Sequence, residues 1–279
     1  MAVTAAALLS ALAGCGSGGE PTAPPPAAGA KVVWAVGDAA DGGVAAVALA
    51  SRVKAGPVDR LVYLGDVYES GTAEEFERNY DPLYGELAKV TLPTPGNHDW
   101  PNHEGGYGPY WRRAGRDEPL GYYSVSLAGW QLIGLNSEAD HARGSPQERW
   151  LRGQVARPGD CRIAFWHSPR FSAGSVHGDQ PDVEPLWNAL RGHAVIVLGG
   201  HEHDLQRFPA VDGITQMVVG AGGHSHYPID GDDDRPVFTD DEADGALRLE
   251  LRAGRADFTF VATDGRRLDS GSVSCHPAP

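Results

Sequence analysis

Five short apolar runs in this chain each stop at a glycine or small-residue turn that presents a metal-binding type of side chain. The residues presented are Asp38, Asp66 with Tyr68, Asn97 with His98, His167, and His201 with His203. In open sheets of alternating strands and helices, ligands bind in the crevice at the carboxyl ends of the strands. One Gly-Asp turn carries no information, since such turns are common. Five in succession confine the chain to folds that bring several strand ends to one place.

The sequence between these turns agrees with an α/β class. Lys31–Val36 and Leu61–Leu64 read as buried strands, and Val44–Lys54 has helical spacing that Gly56-Pro57 stops. Ala73–Lys89 reads as a helix broken at Pro82 and Gly85, and Val90–Thr94 leads into the third turn. Tyr122–Leu127 and Gln131–Leu135 flank Ala128-Gly129, as a hairpin would. Pro146–Val155 reads as a helix with proline in its first turn. Arg162–Trp166 and Val195–Leu198 are further buried strands, and beyond Leu205 the chain reads as short strands and turns. The 279 residues fit one large domain or two small ones, and no internal repeat or second domain is evident. The formal charge of −14 disfavours nucleic acid and anionic lipid as partners. The acidic stretch Asp230–Asp244 reads as a solvated loop, since its spacing does not match an EF-hand.

The five turns resemble the signature blocks of the calcineurin-like metallophosphoesterases, and within them those of the purple acid phosphatase branch. That branch carries GDxG, GDxxY, GNHD/E, VxxH and GHxH. This chain has Gly37-Asp38-Ala39-Ala40, Gly65-Asp66-Val67-Tyr68, Gly96-Asn97-His98-Asp99, Ala164-Phe165-Trp166-His167 and Gly200-His201-Glu202-His203. Ala40 and Ala164 depart from the pattern, and neither departure touches a ligand position. Val219-Gly220-Ala221-Gly222-Gly223 and Asp269-Ser270-Gly271-Ser272 also look like that branch's tail.

The resemblance implies a four-layer α/β/β/α sandwich of two mixed sheets flanked by helices, with a catalytic domain over 31–279. It implies a dinuclear phosphoester hydrolase in which Asp66 bridges two metals and a metal-bound hydroxide attacks phosphorus in line. Asp38, Tyr68 and His203 would join Asp66 on the first metal, and Asn97, His167 and His201 on the second. His98 would protonate the leaving group, with Asp99 placed to orient it, and His177 follows His167 at the distance of a second catalytic histidine. For His177 the alternative is an exposed loop residue. The implied substrate is a small phosphoester, with no nucleic acid partner.

Elementary chemistry stands beside the resemblance. Hard anionic oxygens from two carboxylates and a phenol suit a trivalent ion, hence Fe(III). An amide oxygen and neutral imidazoles suit a divalent ion: Fe, Zn or Mn. In extended backbone, residues two apart share a face, so Tyr68 accompanies Asp66, and His203 accompanies His201. The alternative for Tyr68 is a half-buried aromatic beside the site. Trp100, Tyr107 and Trp111 wall the cleft or simply pack, His224 and His226 are candidates for the pocket mouth, and His103, His141, His193 and His276 read as surface or packing residues.

At the N-terminus, residues 1–14 read as a signal peptide. Leu12-Ala13-Gly14-Cys15 resembles the lipobox of bacterial lipoproteins, in which the cysteine carries lipid, although no Lys or Arg precedes the apolar run. The alternatives are an ordinary secretory signal or a disordered Ala-rich leader. Residues 15–30 read as a Gly/Pro/Ala-rich tether. The expected setting is extracytoplasmic, secreted or with membrane attachment only through Cys15, and there Cys161 and Cys275 are available to pair. Two other functions compete: a phosphodiesterase or nucleotide pyrophosphatase on the same scaffold, and a non-catalytic lipoprotein that captures phosphate or metal.

Overall fold

Strands buried on both faces seal a layer on each side, and the central strands of this chain do so in two sheets. The computed structural model describes residues 25–116, 121–159 and 161–275. Residues 1–14, expected to be a signal peptide, and Cys15 lie outside the described residues, as does His276. The end of the tether is docked: Ala27 N donates to Glu250 Oε2 at 2.8 Å, and Ala30 N closes a turn on Ala27 O.

The first sheet has the order β13-β12-β11-β1-β2-β3. Its members are β1 (Lys31–Val36), β2 (Arg60–Tyr63), β3 (Thr91–Pro93), β11 (Gly245–Arg252), β12 (Arg255–Ala262) and β13 (Arg267–Ser274). The second has the order β10-β8-β9-β7-β6-β5-β4. It contains β4 (Tyr123–Leu127), β5 (Trp130–Gly134), β6 (Cys161–Phe165), β7 (Ile196–Gly199), β8 (Leu205–Arg207), β9 (Thr215–Val219) and β10 (Phe238–Asp240). β1, β2 and β3 are mutually parallel, and so are β5, β6, β7 and β9. The sheets are therefore mixed, with antiparallel strands toward their edges.

Packing explains the layers. Val33, Ala35 and Val62 of the first sheet meet Leu132, Ile163, Phe165 and Leu198 of the second in one buried core. The alternate residues Val32, Trp34 and Val36 turn outward onto Leu49 and Val53. Those two lie on the helix Val44–Lys54, whose buried positions Ala46, Leu49, Ala50 and Val53 follow helical spacing. Ile133, Ala164 and Val197 turn outward from the second sheet onto Leu151, Val155, Leu186 and Leu190 of the helices Pro146–Val155 and Glu184–Leu190. The result is the four-layer α/β/β/α arrangement expected from the resemblance. No helix among the described residues is long and apolar enough to cross a membrane.

Local chemistry sets the boundaries. Ser145 caps its helix by accepting from Glu148 N at 3.1 Å, with Pro146 in the first turn. Ala128 and Gly129 both have positive φ, the turn geometry that joins β4 to β5. Over 73–89 the α-helix ends at Gly85 as expected, but Pro82 is not a break. Pro82 opens a short helix at Asp81–Tyr84, and the irregularity is a wide turn at Phe76–Tyr80 just before it. The first turn of a helix has spare N–H groups, so proline is tolerated there. Strands β8 and β10 and the helices Tyr107–Arg113 and Glu184–Leu190 are short and carried no clear period in the sequence.

Cys161 at the start of β6 is bonded to Cys275 just past β13, with Cα atoms 5.8 Å apart. The bridge ties the two sheets together and closes a sequence separation of 114. A loop of that size restricts the unfolded chain strongly. Replacing both cysteines by alanine is expected to lower unfolding free energy by about 2–5 kcal/mol in urea titrations. An unchanged midpoint and slope would show that packing alone fastens the last strand.

Candidate metal centre

The parallel strands deliver their carboxyl ends to one crevice where the two sheets meet. Gly37 N, just past β1, donates to Val219 O at the end of β9 at 2.8 Å, so the sheets are joined there. Asp38, Asp66 and His201 follow β1, β2 and β7 directly and have φ of 57°, 66° and 71°. They are three of only five described non-glycine residues with positive φ. This backbone costs about 1–3 kcal/mol per residue and collects where function requires it. Neighbouring glycines make room. A Cβ on Gly96 would lie 2.0 Å from Asp66 Oδ1, and one on Gly200 would lie 2.8 Å from Asp38 Oδ2.

Two groups of donor atoms face each other across Asp66. In the first, the Tyr68 hydroxyl donates to Asp38 Oδ1 at 2.9 Å and lies 2.8 Å from His203 Nε2 and 3.5 Å from Asp66 Oδ2. In the second, His167 Nε2 lies 2.9 Å from Asn97 Oδ1, 3.2 Å from His201 Nδ1 and 3.3 Å from Asp66 Oδ2. Asp38, Asp66 and His167 are buried and offer ligand atoms all within 4.8 Å of one another. All seven side chains expected from the sequence are thus brought together.

The outer partners orient these donors. His167 Nδ1 is 2.7 Å from Leu64 O, and His203 Nδ1 is 2.6 Å from Ser225 O. Each imidazole is tied down by one nitrogen and presents Nε2 inward, the usual arrangement of a ligating histidine. His201 N donates to Asp38 Oδ2 at 2.9 Å, and His98 N donates to Asp66 Oδ1 at 3.0 Å. These bonds fix the two carboxylates.

The electrostatics call for added positive charge. Burial, with Asp66 nearby, holds the Asp38 carboxyl well above the ordinary range. Burial opposes charge on Asp66 as well, but the His167 imidazolium beside it prevails and brings it to about 2. Burial also opposes charge on His167, and there the Asp66 carboxylate prevails and pushes it up. Burial holds His201 down at about 2 and His203 at about 4, so both keep neutral lone pairs. Neither carboxylate ion-pairs with lysine or arginine among the described residues. Two carboxylates, a phenol, an amide oxygen and imidazoles that are all neutral once His167 gives up its proton fit a pair of cations.

His98 is half-buried at the opening, with Nδ1 2.7 Å from Glu69 O and its ring edge-on to Tyr68 at 4.8 Å. Asp99 has a different task from the one expected. Its carboxylate is fully buried and accepts from the backbone N–H groups of Asp66, Gly96 and Val67 at 2.9, 3.0 and 3.0 Å. It therefore splices the second block to the third, while a carbonyl orients the His98 ring. His177 is exposed, and its ring stacks on His201 with centroids 4.1 Å apart. The reason lies in Glu202, a residue the sequence reading passed over. Its Oε1 accepts from Gly178 N at 2.6 Å and His177 N at 3.2 Å, pinning the loop that carries His177. No strand period marks Glu202, because residues 201–204 form bends and His201 has a positive φ.

Of the remaining candidates, Tyr107 and Trp111 pack in the outer core of the first sheet, and Trp100 stacks on His103. His224 lies flat on Tyr68, whereas His226 is taken up by Asp244 Oδ1 and Asp241 O at 2.9 and 2.8 Å. The acidic stretch is partly fastened, with Arg235 gripping Asp233 and Asp179.

Residues 25–205 match the family model of calcineurin-like phosphoesterases. Among solved structures, purple acid phosphatase PPD1 from yellow lupin (Lupinus luteus) seeds superposes with a TM-score of 0.72 at 15% identity. The match covers 90% of this chain and 55% of that one, so this chain spans about half the lupin protein's length. GAP50, the anchor in the inner membrane complex of Plasmodium, gives 0.72 at 14% identity over 88% of this chain and 89% of that one. A dimetal phosphatase from Danio rerio gives 0.59 at 14% identity over 88% and 99%. At these identities the likeness is one of fold. No curated protein matches.

The glycine cradle is testable. Gly96→Ala is expected to push the Asp66 carboxylate aside and lower bound metal, as read by elemental analysis, while circular dichroism stays unchanged. A folded Gly96→Ala protein with full metal content would show that the crevice has slack at this point.

Proposed function

The chain belongs to the calcineurin-like phosphoesterase family, and from that premise we propose that it hydrolyses phosphate monoesters with two cations that would be held around Asp66. The observation that carries this reading is the convergence of two donor groups on one buried carboxylate. Asp38, Tyr68 and His203 would hold one cation with Asp66, and Asn97, His167 and His201 the other. The phenol and two carboxylates favour Fe(III) on the first side, and the imidazoles and amide favour Fe(II), Zn or Mn on the second. Such cations polarise phosphoryl oxygens, offset their charge and lower the pKa of water.

The protein's own groups do the rest. Asn97, His98 and His177 lie around the opening, where a phosphoester arrives. His98 engages Glu69 O through Nδ1, which leaves Nε2 to carry a proton toward the leaving oxygen. His177, held by Glu202 and stacked on His201, offers a second imidazole beside the same opening. Burial lowers the pKa of its imidazole. The acidic surface repels anions at long range, so the centre itself must supply the attraction for phosphate. The Cys161–Cys275 bridge supports an oxidising, extracytoplasmic setting, as the lipid-anchor reading of Cys15 requires.

Purified protein is expected to hold two metal equivalents and to show a visible tyrosinate-to-Fe(III) band that Tyr68→Phe removes. A colourless, fully active di-zinc or di-manganese enzyme would contradict iron at Tyr68. His98→Ala is expected to lower turnover of an alkyl phosphate by about 10²–10⁴-fold with metals retained. Unchanged turnover on that poor leaving group removes His98 from the mechanism. Faster cleavage of a bis-aryl phosphate than of an aryl phosphate would favour the diesterase alternative, and full metal content without turnover of either would favour a binding protein.

A further inference from the structure

Resting on the reading that Tyr68 binds a cation, we propose that His224, anchored by Asp41, is a positioning residue that clamps the Tyr68 ring for metal binding. The phenol oxygen sits at the far end of a long side chain, so a small rotation about χ1 carries it away from its partners. Backbone bonds do not prevent that rotation, whereas a ring laid flat against the phenol does.

The structure builds that contact with some care. The three glycines of the segment Gly220–Gly223 sit where no Cβ fits. A Cβ on Gly220 would lie 1.9 Å from Glu202 O, one on Gly222 2.1 Å from Gly37 O, and one on Gly223 2.4 Å from Ala46 N. Gly223 also has a φ of +126°, which other residues rarely adopt. His224 leaves this segment and lies flat on Tyr68, with centroids 3.9 Å apart and planes 15° apart. Its Nδ1 is 3.3 Å from Asp41 Oδ2, and Asp41 is itself held by Gly43 N, which donates to Oδ1 at 2.7 Å. Farther along the same loop, Tyr227 lies flat on His203, with centroids 3.9 Å apart and planes 11° apart. One loop therefore lays a ring on each of two neighbouring donors, Tyr68 and His203, whose ligand atoms are 2.8 Å apart. The second donor group is not covered in this way by that loop. The loop thus acts selectively on the Tyr68 side of the centre.

The test uses full-length protein loaded with Fe(III) and Zn(II), as wild type, His224→Ala and His224→Phe. Phenylalanine keeps a flat ring and drops the bond to Asp41. Metal release to EDTA and the visible band are followed together. His224→Ala is expected to lose one metal equivalent about 10–100-fold faster than wild type, with a shifted or faded band. His224→Phe is expected to restore most of both. If His224→Ala fails to fold, His224→Leu takes its place, since it fills space without offering a flat ring. A His224→Ala protein with wild-type release and an unmoved band overturns the proposal, as does a His224→Phe protein as leaky as His224→Ala. A colourless wild type with two metals leaves the release measurement decisive. A wild type that retains no metal overturns the functional reading and this proposal together.

Discussion

Asp66 is a buried carboxylate held within reach of another buried acid, a phenol and the His167 imidazole, and the rest of the crevice is arranged around keeping it there. Its backbone N–H is taken by Asp99, its Oδ1 by His98 N, and its backbone sits in the left-handed region. Charges confined in this way repel one another in a low-dielectric interior unless an opposite charge is added. No lysine or arginine reaches Asp38 or Asp66 among the described residues, so beyond His167 the counter-charge is left to a cation. The strained turns, the glycines that admit no side chain and the buried Asp99 serve that one requirement.

The same requirement explains why the sequence was informative about the site. A metal ligand must stand at a strand end, with a small residue beside it and a fixed residue type, and that leaves a short local signature at Asp38, Asp66, Asn97, His167 and His201. Helices with regular apolar spacing, such as Val44–Lys54 and Pro146–Val155, were legible for a similar reason, since all their determinants are local. The hairpin at Ala128-Gly129 announced itself through its turn residues.

What stayed hidden depends on partners far apart in the chain. Asp99 looked like a companion of His98 because it is adjacent, yet its hydrogen bonds reach back to the second block. Glu202 fixes the loop of His177, and His224 covers Tyr68, through contacts that no spacing rule encodes. The short strands β8 and β10 have three residues each, too few to display a period. Pro82 read as a breaker because its cost depends on position in a helix, and that position emerges only with the neighbouring turn.

Crystals of the metal-loaded protein, measured on both sides of the iron and zinc absorption edges, test the central claim most directly. Two anomalous peaks are expected, one among Asp38, Tyr68 and His203 and the other among Asn97, His167 and His201, with Asp66 bordering both. A single peak, or peaks elsewhere with these seven side chains lacking any metal, would contradict the account.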